Sequence, residues 1–420
     1  MEQTIPVTNK NATPATKVYP KSIIAALALL GELVIIIFKP GGQYDEALAV
    51  ASTVLVITFI ATGKTTKYDQ NTILLLAIIA SIGILGNLVY DINKSYFSVM
   101  VDILTQIKPF VIFFALRYFL TTKERKTVID YLTPIAKLFM IAAFIFCVLN
   151  QFKSSTAPGG FRYGIRIFQF FYIFNHYYIA SALFFFGIIV CNNRINEKLK
   201  RFYIIIGCIA IIGALKSLAI ISVGTFVFLM LYYKKYERIT FKVIIPLLLL
   251  IVLLSRFQIN AYILNTTSPR RIFIDYAIKN ANEHFPLGSG FGTFGSAEAA
   301  KHYSALYIKY HFERFWGMSQ GDKKFLHDNY WQTILGQFGW IGFPFFVYFY
   351  YRLFKTSYDP NSKSYERAIC NGIFLGMMVF ALGSASITSD PGVICFAALA
   401  LFSEPEEKFG KNNKRIRIKF

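Results

Sequence analysis

Phe325-Leu326-His327-Asp328-Asn329-Tyr330 closes a polar stretch that began near Arg256, and the next apolar run starts at once with Trp331. The contrast across that border decides the fold, because almost everything outside the stretch is apolar and of helical length. Inside it fall four of the five histidines (His284, His302, His311, His327), the Arg270-Arg271 pair and the turn-forming run Pro286-Leu287-Gly288-Ser289-Gly290-Phe291-Gly292. Loops this long are usually functional or disordered. The density of aromatic residues here reads as a folded, functional loop.

The chain has 420 residues, 55% hydrophobic and 16% charged. Soluble globular chains carry about 25% charged residues. Apolar runs of about 18 to 23 residues are long enough to cross a bilayer, so the expected class is all-α, a polytopic helical membrane protein with about 12 spans. The net charge of +21 could suggest nucleic acid, but most Lys and Arg sit in short loops at alternate helix ends, as the positive-inside rule requires. No nucleic-acid partner is expected; membrane lipid is. The five cysteines all lie in apolar runs without paired spacing, which argues against a disulfide framework.

Residues 1–21 read as a polar cytoplasmic tail. Nine spans follow over 22–256, near 23–38, 45–62, 72–90, 99–120, 128–149 and 170–191, two within 202–233, and one at 241–256. Lys39-Pro40-Gly41-Gly42 turns the chain outside, and Lys108-Pro109 suggests a kink or late helix start. Lys64, Lys67, Lys123, Arg125, Lys126, Arg194, Lys198, Lys200 and Arg201 mark cytoplasmic loops. The run 202–233 is too long for one helix, and Lys216-Ser217 at its midpoint splits it. A short outside loop, 150–169, carries Lys153, Arg162 and Arg166 against the positive-inside pattern. The large outside loop spans 257–326, three spans (329–354, 368–388, 391–403) fill 327–403, and a basic tail, 404–420, stays inside. Both termini are thus expected in the cytoplasm.

His327 is the first candidate for chemistry, since an imidazole titrates near neutrality and can move protons. It stands at the membrane border beside Asp328, a carboxylate able to orient it. A border histidine that caps the helix or meets lipid headgroups is the plainer reading. Arg162, Arg166, Arg270 and Arg271 lie where topology asks for no cation, and guanidinium is the preferred bidentate partner of phosphate. Anchoring to lipid headgroups is the plainer reading. Lys216, a cation within an apolar run, is a functional hypothesis by default, with snorkelling to the interface as its bland counterpart. The glycine run 288–292 follows no strand, so a nucleotide loop is excluded and a tight turn is expected. No zinc-type spacing or Asp-x-Asp pair points to a metal.

Three patches together resemble the bacterial O-antigen polymerase and ligase superfamily of membrane glycosyltransferases. They are Arg162-Tyr163-Gly164 followed by Asn175-His176; Arg271 followed by Pro286 to Phe294; and His327-Asp328-Asn329-Tyr330 followed by Leu335, Gly336, Phe338, Gly339 and Gly342. Two positions depart from the family pattern: Lys216-Ser217 stands where a Ser-Arg pair is frequent, and Asp328 where Asn or Ser is common. The resemblance implies a GT-C-like bundle in the bacterial cytoplasmic membrane. It implies a metal-independent enzyme without cofactors that joins glycans carried on undecaprenyl diphosphate at the outer face. His327 would be the base, and Arg162, Arg166, Arg271 and Lys216 would neutralise the departing diphosphate. Asp328, Asn329, Arg270 and Tyr330 would support them. Partners would be the lipid-linked donor, a glycan acceptor, a chain-length regulator and a flippase. Repeat-unit polymerisation is the favoured reading; a ligase shares the motifs, and a lipid-linked oligosaccharide flippase is the alternative of another class.

Overall fold

The computed structural model describes residues 19–38, 44–152, 160–162, 164–236, 241–357 and 364–403. The tail 1–18, the turn Lys39–Gly42, Lys153, Tyr163 and the basic tail 404–420 lie outside them. The chain is 76% helical with almost no sheet.

Apolar runs become helices because, without water, only intrahelical bonding satisfies every backbone group. Five helices are long and apolar enough to cross a membrane: α1 (Pro20–Phe38), α2 (Tyr44–Ala61), α3 (Lys67–Tyr90), α4 (Tyr96–Phe119) and α5 (Thr122–Phe152). A two-stranded hairpin, β1 (Phe161–Arg162) and β2 (Ile165–Arg166), follows, then α6 (Asn175–Cys191), α7 (Glu197–Ile212), α8 (Ser217–Tyr233) and α9 (Phe241–Gln258). The run 202–233 does split just before Ser217, with Lys216 as the residue preceding α8. Five elements come next: a π-helical turn (Ile259–Leu264), α10 (Pro269–Glu283), α11 (Ala297–His302), α12 (Ala305–Lys309) and a 3-10 turn (Phe312–Arg314). The chain closes with α13 (Tyr330–Ser357), α14 (Ser364–Phe380) and α15 (Asp390–Phe402).

Two expectations change. The span expected at 368–388 starts earlier and ends at Phe380; turns fill 381–389. Small polar residues (Gly383, Ser384, Ser386, Ser389) favour turns there, and the Gly383 carbonyl is taken by Arg270. Lys108-Pro109 does not delay α4, which starts at Tyr96. Instead Lys108 is buried and ion-paired with Asp45 of α2, with Glu46 3.7 Å away.

The segment between α9 and α13 is a folded unit with its own core. Phe273, Phe294, Tyr307, Phe312, Met318 and Leu326 are buried together, and Phe273 meets Phe294 edge-on at 5.4 Å. Tyr307 ties it internally, accepting from Gly295 N at 2.8 Å and donating to Leu326 O at 3.2 Å.

The glycine run fastens this unit to the helices. α13 is broken at Gly339 (φ 60°, ψ −163°), a conformation only glycine adopts freely. The turn at Pro286–Gly290 fills the break: Ser289 N donates to Gly336 O (3.0 Å), Gly290 N to Gln337 O (2.9 Å) and Ile341 N to Pro286 O (3.3 Å). A Cβ on Gly288 would stand 2.3 Å from Gly339 N. From α3, Asn87 accepts from Phe291 N at 2.7 Å and donates to Phe291 O at 2.9 Å. From α4, Asp102 accepts from Gly292 N at 2.7 Å.

At the opposite end the basic connections gather. Arg125, Lys126 and Asn193 border one hollow with Glu366, and Glu197, Lys200 and Lys234 border the adjoining one. The expected cytoplasmic loops therefore converge on one end of the bundle, away from the folded unit.

Candidate functional site

A cavity of about 220 Å³ opens where the hairpin, the α7–α8 junction, the start of α10, the segment before α13 and the turns after α14 meet. Arg162, Lys216, Arg270 and Asp328, remote in sequence, all line it, with Asn175, His176 and Ser217. Phe174, Ile259, Val379, Phe380 and Leu382 supply an apolar wall.

Each charged group is held by its backbone surroundings. Arg162 Nη1 donates to Leu215 O at 2.7 Å, anchoring the hairpin on the α7–α8 junction. Arg270 Nε donates to Gly383 O at 2.7 Å, and its Nη2 pairs with Asp328 Oδ2 at 2.5 Å. Lys216 makes no hydrogen bond or ion pair among the described residues, although Arg162, Arg270 and Asp328 act on it electrostatically. Burial lowers the pKa of its ammonium, and the two guanidinium groups lower it further. Burial raises Asp328 above the ordinary carboxylate range, against the pull of Arg270, His327 and Lys216.

Three cations thus face one carboxylate, and the helix ends add to the imbalance. α6 and α8 both begin at the cavity, at Asn175 and Ser217, and neither N-terminus has a side-chain cap. α10 begins there too, its N-cap Ser268 likewise making no side-chain capping bond. Uncapped N–H groups and the helix dipole both favour an anion. Arg270 sits in the first turn of α10, where the dipole disfavours a cation, so the site concentrates positive potential instead of dispersing it.

The other sequence candidates lie elsewhere. His327 is exposed and does not line the cavity, but it adjoins Asp328 and acts on its carboxyl. Arg271 pairs with Asp275 of the same helix at 3.0 Å and does not line the cavity. Arg166 lies over the Phe161 ring at 4.9 Å and also stays outside it. Tyr330 is buried against Tyr350, its hydroxyl 2.5 Å from that of Tyr350. Asn329 is fully buried, and neither side-chain polar atom has a partner among the described residues.

Sequence reasoning did not single out His176 as a site residue, yet it lines the cavity, stacked on Phe174 at 5.6 Å. Its position in the first turn of a helix, two residues after an aromatic, was the available signal. Ser255, buried and without a partner among the described residues, was also missed. Serine in an apolar helix usually bonds its own backbone and gives no signal.

No family model matches the chain, and no curated protein matches it.

Proposed function

We propose that this chain is a membrane glycosyltransferase of the O-antigen polymerase and ligase type, polymerising glycan repeat units carried on polyprenyl diphosphate. The single observation that carries the reading is the cavity where Arg162, Lys216 and Arg270 converge with three uncapped helix N-termini. Such a site fits a diphosphate, and its apolar wall fits the lipid that bears one. The chain crosses the cytoplasmic membrane twelve times in this reading, with both termini inside and the folded unit outside.

In the reaction, an acceptor hydroxyl attacks the anomeric carbon of the donor glycan. The carbon–oxygen bond to the diphosphate breaks, and its electron pair leaves with the lipid diphosphate. The hydroxyl proton passes to His327, beside Asp328. Arg162, Lys216 and Arg270 stabilise the charge that grows on the leaving group, the role of a preorganised electrostatic site.

The test is turnover of a lipid-linked repeat unit by the purified protein, read as lipid-diphosphate release and glycan elongation. Turnover should survive EDTA and fall by about 10² to 10⁴ in His327→Ala. Activity that vanishes with EDTA and returns with manganese overturns the metal-independent mechanism. Unchanged release by His327→Ala returns that histidine to a role at the helix border.

A further inference from the structure

A second set of charged groups lies inside the bundle, apart from the cavity. Glu32 of α1 is 2% exposed, and neither carboxyl oxygen has a hydrogen-bond partner among the described residues. The groups that act on it are Asp390 of α15, Asp45 and Glu46 of α2, and Lys108 of α4. Tyr177 of α6 faces the same carboxyls. On α5, Glu124 is engaged by Thr121 and Asp130 by Arg194. Lys108 is the one cation among the groups named as acting on Glu32, and it is already paired with Asp45.

Glu32 borders a cavity of about 20 Å³ lined also by Leu29, Leu33, Ile112, Phe184 and Val393. An ionised carboxylate left there would keep a desolvation cost of several kcal/mol, with only the already paired Lys108 to offset it. The space holds about one water, and its aliphatic and aromatic walls offer no oxygens for a metal ion. Glu32 stands six residues before Phe38, the end of α1, about 9 Å along the helix. Glu46, 36% exposed, links the group to the surface.

We propose that Glu32 is a proton-binding site within the helix bundle that exchanges with the surface through the Asp45–Glu46–Lys108–Asp390 cluster. Intramembrane carboxyls without a fixed counter-ion are costly, and proton carriage is their usual use.

Dicyclohexylcarbodiimide, a hydrophobic probe of protonated carboxyls, tests this on the full-length protein in membranes. The carbodiimide takes the acid proton on one nitrogen, the carboxyl oxygen adds to its central carbon, and the acyl group migrates, so every atom is retained as an N-acylurea. The expected result is an adduct mapped to Glu32 at pH 6.5, diminishing as pH rises and absent from Glu32→Gln. Because a proton held in the fold and released on unfolding makes stability fall with rising pH, wild type should lose thermal stability at alkaline pH relative to Glu32→Gln. No adduct on Glu32 in folded wild-type protein overturns the proposal. So does a Glu32→Gln variant that folds but melts well below wild type at neutral pH, since the amide mimics only the neutral acid.

Discussion

Lys216→Ala separates a functional cation from a structural one. The ammonium sits at the α7–α8 junction with no anion bonded to it among the described residues, and both Arg162 and Arg270 repel it. In the empty protein its charge is therefore a cost, and its removal should leave thermal stability unchanged or raise it. In the presence of a diphosphate the balance reverses. One unit charge about 4 Å from another at an effective dielectric near 20 is worth about 4 kcal/mol. Removal of a preorganised donor to a developing oxyanion costs about 2.7 to 4 kcal/mol, or roughly 10² to 10³ in rate. Release of lipid diphosphate by purified Lys216→Ala should fall by that factor while its melting temperature holds. Lys216→Arg keeps the charge and should retain most activity. Wild-type release by Lys216→Ala, or a loss of activity matched by a loss of fold, refutes the assignment.

Arg270→Ala and Arg162→Ala should lower lipid-diphosphate release by similar factors, whereas Arg271→Ala, whose guanidinium is occupied by Asp275, should stay near wild type in the same assay. Sulfate, whose own charge does not change over the range, should bind more weakly as pH rises, because the lowered Lys216 loses its proton sooner than a free lysine and the raised Asp328 gains its negative charge in the same direction of change; calorimetry showing the opposite slope contradicts the charge assignment. Gly339→Ala would place a Cβ 2.4 Å from Gly288 N at φ 60°, and detergent melts should show a loss of about 2 to 5 kcal/mol. Exposed Lys324→Cys should react with an impermeant maleimide in spheroplasts while Lys126→Cys should not; reversed labelling sinks the proposed topology.

Helix placement was readable because apolar runs of spanning length have few alternatives, and Lys216 marked the split in 202–233 by interrupting one. Arg162, Arg166, Arg270 and Arg271 stood out as cations where topology asks for none; of these Arg162 and Arg270 reach the cavity, where they meet Lys216 and Asp328. The choice between adjacent Arg270 and Arg271 was harder. Asp275, four residues beyond Arg271, was a visible partner on the same helix face, and it accounts for that arginine's distance from the site. The break at Gly339 was not legible, since a glycine in a helical run is merely unfavourable until a second backbone docks on it. Nor were Glu32 and the Asp45–Lys108 pair, because their meaning depends on which helices become neighbours, and periodicity along one helix is silent on that.

The filled break in α13 also governs how the molecule can move. Backbone groups stripped of partners in a bilayer cost several kcal/mol each, and those at 336, 337 and 341 are satisfied by residues 286, 289 and 290. A lid motion in which the folded unit swings free of the helices would expose all three pairs at once. Any opening must instead carry the unit and the first half of α13 as one rigid body, hinged elsewhere.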